Sequence, residues 1–222
     1  RREVLSARLA AVGTLHHPYV CDAALSYAHA LANAGQPADA ERWLTEVWRV
    51  RATDLGDSHP LTLLAERKVG SVLLTQGRHA EAIQRLQHVY EERQRTGQHS
   101  VRSLAHLAVT CVIAEDVERA LQLTERWYQL CMSTSSLGPG HAQTLNAARW
   151  RARALALTGQ LRAERHLLHR HARSATGRHG EAIRSRLEEL REQPKRSVVD
   201  KRSAGRQSSA STDRAVASDQ SA

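Results

Sequence analysis

The chain has 222 residues, a formal charge of +9, 41% hydrophobic residues, only 4% aromatic residues and no Phe. Leu, Ala and Val must do most of the packing, which suits thin helical layers. No run approaches the ~18 apolar residues of a membrane span, no secretory signal opens the chain, and three cysteines without a CxxC pair read as reduced thiols of a cytosolic protein.

Residues 1–12 read as the second helix of a truncated preceding unit, because Gly13 leads into His17-Pro18 much as Gly56 leads into His59-Pro60. From there the chain repeats itself. Leu55-Gly56-Asp57-Ser58-His59-Pro60-Leu61-Thr62-Leu63 returns 82 residues later as Leu137-Gly138-Pro139-Gly140-His141-Ala142-Gln143-Thr144-Leu145, with a degraded copy at 96–104. A period of 41 residues marks stacked units that bury their apolar faces only against neighbours.

Each unit spells helix, turn, helix. Pro60 fits a first helical turn, Leu64, Val69, Val72 and Leu73 keep helical spacing, and Gly77 suits the left-handed stop. A second helix carries Ala82, Ile83, Leu86, Val89 and Tyr90 on one face. Gly35 and Gly159 mark the same turn in the first and fourth units. In the third unit Glu118 stands where the glycine belongs and the second helix starts about three residues early. A tighter turn near Glu115-Asp116 and a longer, mobile loop before Leu137 are expected.

After the array (13–176), residues 177–193 predict a capping helix with a solvated face of Arg184, Arg186, Glu188, Glu189, Arg191 and Glu192. Residues 194–222, with six Lys/Arg against three Asp and no Leu, Ile or aromatic residue, cannot offset the entropy of ordering and read as a disordered basic tail.

The LGxxHPxTL-type linkers at 55–63 and 137–145, and Gln76-Gly77-Arg78-His79-Ala80-Glu81-Ala82, resemble tetratricopeptide repeats of the kinesin-light-chain-like subtype. The resemblance covers residues 13–176. Small residues fall where that family wants them: Ala28, Gly70, Cys111 and Ala152 on first helices, and Ala40, Ala82 and Ala120 on second helices. Glu164 occupies that second-helix place in the last unit. The resemblance implies an all-α, right-handed α-solenoid of antiparallel helix pairs, whose first helices line a concave groove for an extended peptide or partner helix. Arrays of this subtype also form C-terminal sensor or assembly modules of larger signalling NTPases or transcriptional regulators. No GxxxxGK[ST] nucleotide motif is present.

Helix phase places Asp22, His29 and Asn33 of the first unit in the groove, with Arg67, Ser71 and Thr75 of the second and Asn146, Arg149 and Arg153 of the fourth. Arg149 and Arg153, one turn apart, suit a carboxylate-rich ligand, and the asparagine amides suit a peptide backbone. His17, His59, His99 and His141 share the linker and read as caps. His166, His169 and His171 lie on one helix without Cys or carboxylate to complete a metal set, and read as solvated surface. Trp127 fits the core. Trp48 and Trp150 fall off their stripes and read as exposed interface anchors.

No nucleophile, base and orienting group converge, so the expected function is non-enzymatic: a cytoplasmic signalling scaffold with no cofactor and no metal. Its expected partner is a protein or peptide, and the mildly basic surface favours an acidic one. Basic residues are not interleaved with aromatics, which speaks against nucleic acid. Nothing predicts a membrane.

Overall fold

The computed structural model describes residues 1–12, 16–98, 100–134 and 136–192; His99 and the expected tail at 194–222 lie outside the described residues. Among the described residues the chain is helical, without a strand. Helix α1 (Arg2–Val12) precedes four pairs: α2 (Pro18–Asn33) with α3 (Pro37–Leu55), α4 (Pro60–Thr75) with α5 (His79–Arg95), α6 (Val101–Ile113) with α7 (Val117–Ser133), and α8 (Ala142–Leu157) with α9 (Leu161–Ala172). A further helix, α10, spans 177–192.

The linker histidines start the first helices. Exposed backbone N–H groups at a helix start need acceptors. His17 Nδ1 accepts from Tyr19 N–H (3.3 Å), His59 Nδ1 from Leu61 N–H (3.2 Å) and His141 Nδ1 from Gln143 N–H (3.2 Å). In the third unit the cap is Ser100, whose hydroxyl accepts from Ser103 N–H (3.4 Å). Forty-one residues after His59 is Ser100, not His99.

A three-residue turn closes each pair, and its middle residue has positive φ: Gly35 (75°), Gly77 (74°), Gly159 (69°) and Glu115 (57°). The next residue donates its N–H to the carbonyl five residues back: Gln36 to Leu31, Arg78 to Leu73, Asp116 to Cys111 and Gln160 to Leu155. This is the Schellman closure of a helix. The expected tighter third turn, with Glu118 in the glycine's place, is therefore corrected. The turn keeps its length and Glu115 takes the left-handed position. The missing residues come out of α6, which has 13 residues against 16 in α2, α4 and α8. The longer loop follows, with residues 134–141 between α7 and α8.

Small residues set the layer spacing. The eleventh residue after each cap is Ala28, Gly70, Cys111 or Ala152, all buried. A Cβ added at Gly70 would lie 2.9 Å from Leu86 Cγ. Ala40, Ala82 and Ala120 are fully buried on the second helices, and Glu164 is too. The three cysteines are free and buried. Helix α10 buries Ile183, Leu187 and Leu190 and so continues the core. The first helices of successive pairs meet directly (α4 with α6, α6 with α8), more closely than the second helices do. The array therefore curves toward its first-helix face.

Candidate functional site

Two basic pockets open on the first-helix face. One, of about 280 Å³, lies between α2, α4 and α6, with apolar walls that include Leu25, Ala28, Leu44 and Val72. Its floor is Arg67, only 8% exposed. Arg67 Nη1 donates to His106 Nε2 (2.9 Å). A guanidinium only donates, so Nε2 accepts and the neutral ring carries its proton on Nδ1. That proton is donated to Ser71 Oγ (3.2 Å), and the Ser71 hydroxyl donates to the Arg67 carbonyl (3.0 Å). The loop of hydrogen bonds is closed.

Electrostatics follow from this geometry. Burial, then Arg67, Arg102 and Lys68, push the His106 imidazole down to about 4. Burial, then Arg102 and Arg93, lower Arg67 to about 10. Lys68 is lowered too, by burial and then by Arg67, Arg102 and Arg51. No carboxylate counters these shifts, and among the described residues Arg67, Lys68 and Arg102 make no ion pair.

The expected groove residues His29, Arg67, Ser71 and Thr75 all line this pocket. Asn33 lies beside it, its amide 3.3 Å from His29 Nδ1. Asp22 has an exposed side chain, one of whose carboxylate oxygens is bonded within the fold. It accepts from Arg51 Nη2 (2.8 Å), and Arg51, 4% exposed, also donates to the Leu61 carbonyl (3.1 Å). Arg51 thus ties α2, α3 and the start of α4 together.

The second pocket, of about 470 Å³, lies between α8, α9 and α10. Arg149 and Arg153 reach it, their guanidinium carbons 5.5 and 5.9 Å from the Trp150 ring centre. Arg149 Nη2 donates to Asn146 Oδ1 (3.2 Å), while its Nε is buried without an acceptor. Burial, then Arg178 and Arg153, lower Arg149. Opposite stands the fully buried Glu164, which accepts from Arg186 Nε (2.7 Å) and Nη2 (3.3 Å). Arg186 also donates to Glu189 (2.8 Å). These bonds hold Arg186 well above the ordinary arginine range. Arg186 is thus part of a buried tie, not of the solvated face expected for α10.

Other expectations need correcting. Trp48 and Trp150 are half-buried rather than exposed, and each is covered by arginine: Arg85 lies 4.3 Å from the Trp48 ring centre. Trp127 is in the core, 2% exposed. His166 and His169 are exposed, but His171 is fully buried. His171 Nδ1–H donates to the Pro139 carbonyl (2.9 Å) and its Nε2 accepts from the Tyr128 hydroxyl (2.9 Å). It pins α9 to α7 and to the long loop. Among the described residues no group of three His, Cys, Asp or Glu is placed to hold a metal, and no helix is long and apolar enough to cross a membrane.

Sequence reasoning missed Lys68 and His106. The repeat itself carries the signal for His106: six residues after the cap the other units have Ala23, Ala65 and Ala147, and only the third has a large polar residue.

Residues 19–95 match the tetratricopeptide repeat family. Among solved structures, one of nearly identical tetratricopeptide-like repeats from a Podosopora anserina putative kinesin light chain is similar at 23% identity, with a TM-score of 0.64. That match covers 81% of this chain and 82% of that one. A single-substitution form of the same repeats is similar at 23% identity and a TM-score of 0.64, over 86% of this chain and 83% of that one. The likeness is one of fold. A search of curated protein sequences gave no match.

Proposed function

We propose, from the match of residues 19–95 to the tetratricopeptide repeat family and the likeness of the array in fold to kinesin-light-chain-like repeats, that the chain is a non-enzymatic scaffold whose first-helix groove docks an acidic protein or peptide. Tetratricopeptide repeats generally mediate protein–protein interaction, and the fold is generally not enzymatic. The finer reading rests on one observation. Arg51, Arg78, Arg151 and Arg186, which join helices to one another, each have a carboxylate partner. The pocket cations Arg67, Lys68, Arg149 and Arg153 have none among the described residues. Of these Arg67, Lys68 and Arg149 are partly or wholly desolvated, and a desolvated cation without a counter-ion favours an incoming anion. Buried reduced thiols fit a cytoplasmic setting.

Affinity capture tests the reading. Partners recovered on the wild-type chain should be lost with Arg149→Ala/Arg153→Ala and with Arg67→Gln, and should wash off at high salt. Unchanged recovery on all variants sinks it.

A further inference from the structure

We propose that the pocket between α2, α4 and α6 is a phosphoryl site, so that the partner segment docked there carries a phosphorylated side chain. The proposal rests on the docking reading above and names the chemistry at one of its pockets. The charge count of the lining residues separates the two pockets. The α8–α10 pocket has three arginines and also Glu164 and Glu189, so its lining sums to one positive charge. The α2–α6 pocket has Arg67 and Lys68 and no carboxylate, and His106 is neutral in its hydrogen-bonded loop. Its lining sums to two.

A carboxylate would leave one of those cations unmatched in an apolar wall. A phosphomonoester brings a charge of about −1.5 to −2 and three strong acceptor oxygens. The donors available are also of the right kind. The Ser71 hydroxyl is committed to the Arg67 carbonyl, and the Thr75 hydroxyl to the Val72 carbonyl (2.7 Å). Among the described residues Arg67 has a side-chain partner only at Nη1, which leaves Nε and Nη2 as a two-pronged edge for two phosphate oxygens. Lys68 supplies a second cation from the next residue. Arg102, exposed one turn before His106 on α6, adds positive field near the pocket and steers an anion inward. The walls formed by Leu25, Ala28, Leu44 and Val72 take an aliphatic side chain next to the phosphorylated residue. No Phe, Tyr or Trp lines the pocket, and the rings of His29 and His106 are engaged with Asn33 and with Arg67 and Ser71.

The test is a titration of the whole chain with a peptide mixture, acetyl-Xaa-Xaa-pThr-Xaa-Xaa-amide, where Xaa is Ala, Val, Leu or Ile. The same mixture with Thr or Glu in the centre is run beside it, together with AMP and an acidic peptide, hexaglutamate. The phosphothreonine mixture should bind at least tenfold tighter than the Glu mixture, and the Thr mixture should not bind. Arg67→Gln and the half-buried Lys68→Gln should each weaken it about tenfold, while Arg162→Gln, exposed on α9 and outside both pockets, should not. Lys68→Gln removes no internal bond, so it keeps the test open should Arg67→Gln fold poorly. Equal affinity for the Glu and phosphothreonine mixtures overturns the phosphoryl assignment, and tighter binding of AMP overturns the phosphorylated partner in favour of a nucleotide. If hexaglutamate still binds, the docking reading survives that loss; if nothing anionic binds, both fall.

Discussion

Arg67 and Arg149 are each the eighth residue after the cap of their helix, yet they live in different pockets. Beside Arg67 the next first helix presents His106, and no carboxylate enters. Beside Arg149 stand Trp150 and Arg153, with the fully buried Glu164, bonded to Arg186, on the opposite wall. A repeat fixes where a side chain stands; one substitution on a neighbouring helix fixes its charge environment. The first pocket is open to an anion because no carboxylate among the described residues lines it. In the second, Glu164 is already answered from within.

That difference can be broken most sharply by removing a charge from each pocket. Glu164→Ala leaves Arg186 beside a buried void with only Glu189 to meet it, and should destabilise the fold by about 3 kcal/mol in chemical denaturation. Arg67→Gln should cost less than about 1 kcal/mol, because it removes a desolvated cation that has no counter-ion. Equal losses would mean the two pockets are not electrostatically distinct.

The layers on which both pockets are built come next. Gly70→Leu puts a side chain where Leu86 already lies, and should cost about 2 kcal/mol. A neutral outcome by thermal melting would show that the α4–α5 spacing is slack.

Acid should act on both regions at once. His106 and His171 are held neutral in the folded chain, and both titrate lower than in an unfolded one, His106 at about 4. The unfolded chain therefore binds more protons once the pH falls below the ordinary histidine value of about 6.5. Stability contributed by the two rings is complete above that pH and is lost as the pH falls toward 4. From pH 7 to pH 5 the loss should be on the order of 1 kcal/mol, and it should shrink in His171→Gln. A flat profile would contradict the hydrogen-bond assignment of both rings.

The smallest change is local to the third unit. Glu115→Gly replaces a non-glycine residue at φ 57° and should stabilise by about 0.5–1 kcal/mol. A loss of stability would show that the Glu115 side chain offsets its strained backbone.

Much of this was legible in the chain. The period, the His-Pro starts, the turn glycines and the small residues at Ala28, Gly70, Cys111 and Ala152 all report local backbone needs, and local needs are written in local residues. His29, Arg67, Ser71 and Thr75 reach one pocket because helix phase carries a face correctly over a single helix. What failed was pairing across helices. Phase does not reveal that Arg51 of α3, 29 residues away in sequence, donates to one oxygen of Asp22. His171 looked solvated until Tyr128, 43 residues away, covered it. Trp150 looked exposed because phase says nothing of the arginines that fold over it. The third unit misled for a different reason: the shortfall was assigned to its turn, whereas α6 had lost the residues.

The central claim is that an acidic ligand docks on the first-helix face. Adding spin-labelled hexaglutamate to the isotope-labelled chain reads this directly by resonance broadening. Broadening should concentrate on α2, α4, α6 and α8, around Arg67, His106 and Arg149, and vanish with added salt. Broadening centred on α3, α5 and α7, or none on any helix, would contradict it.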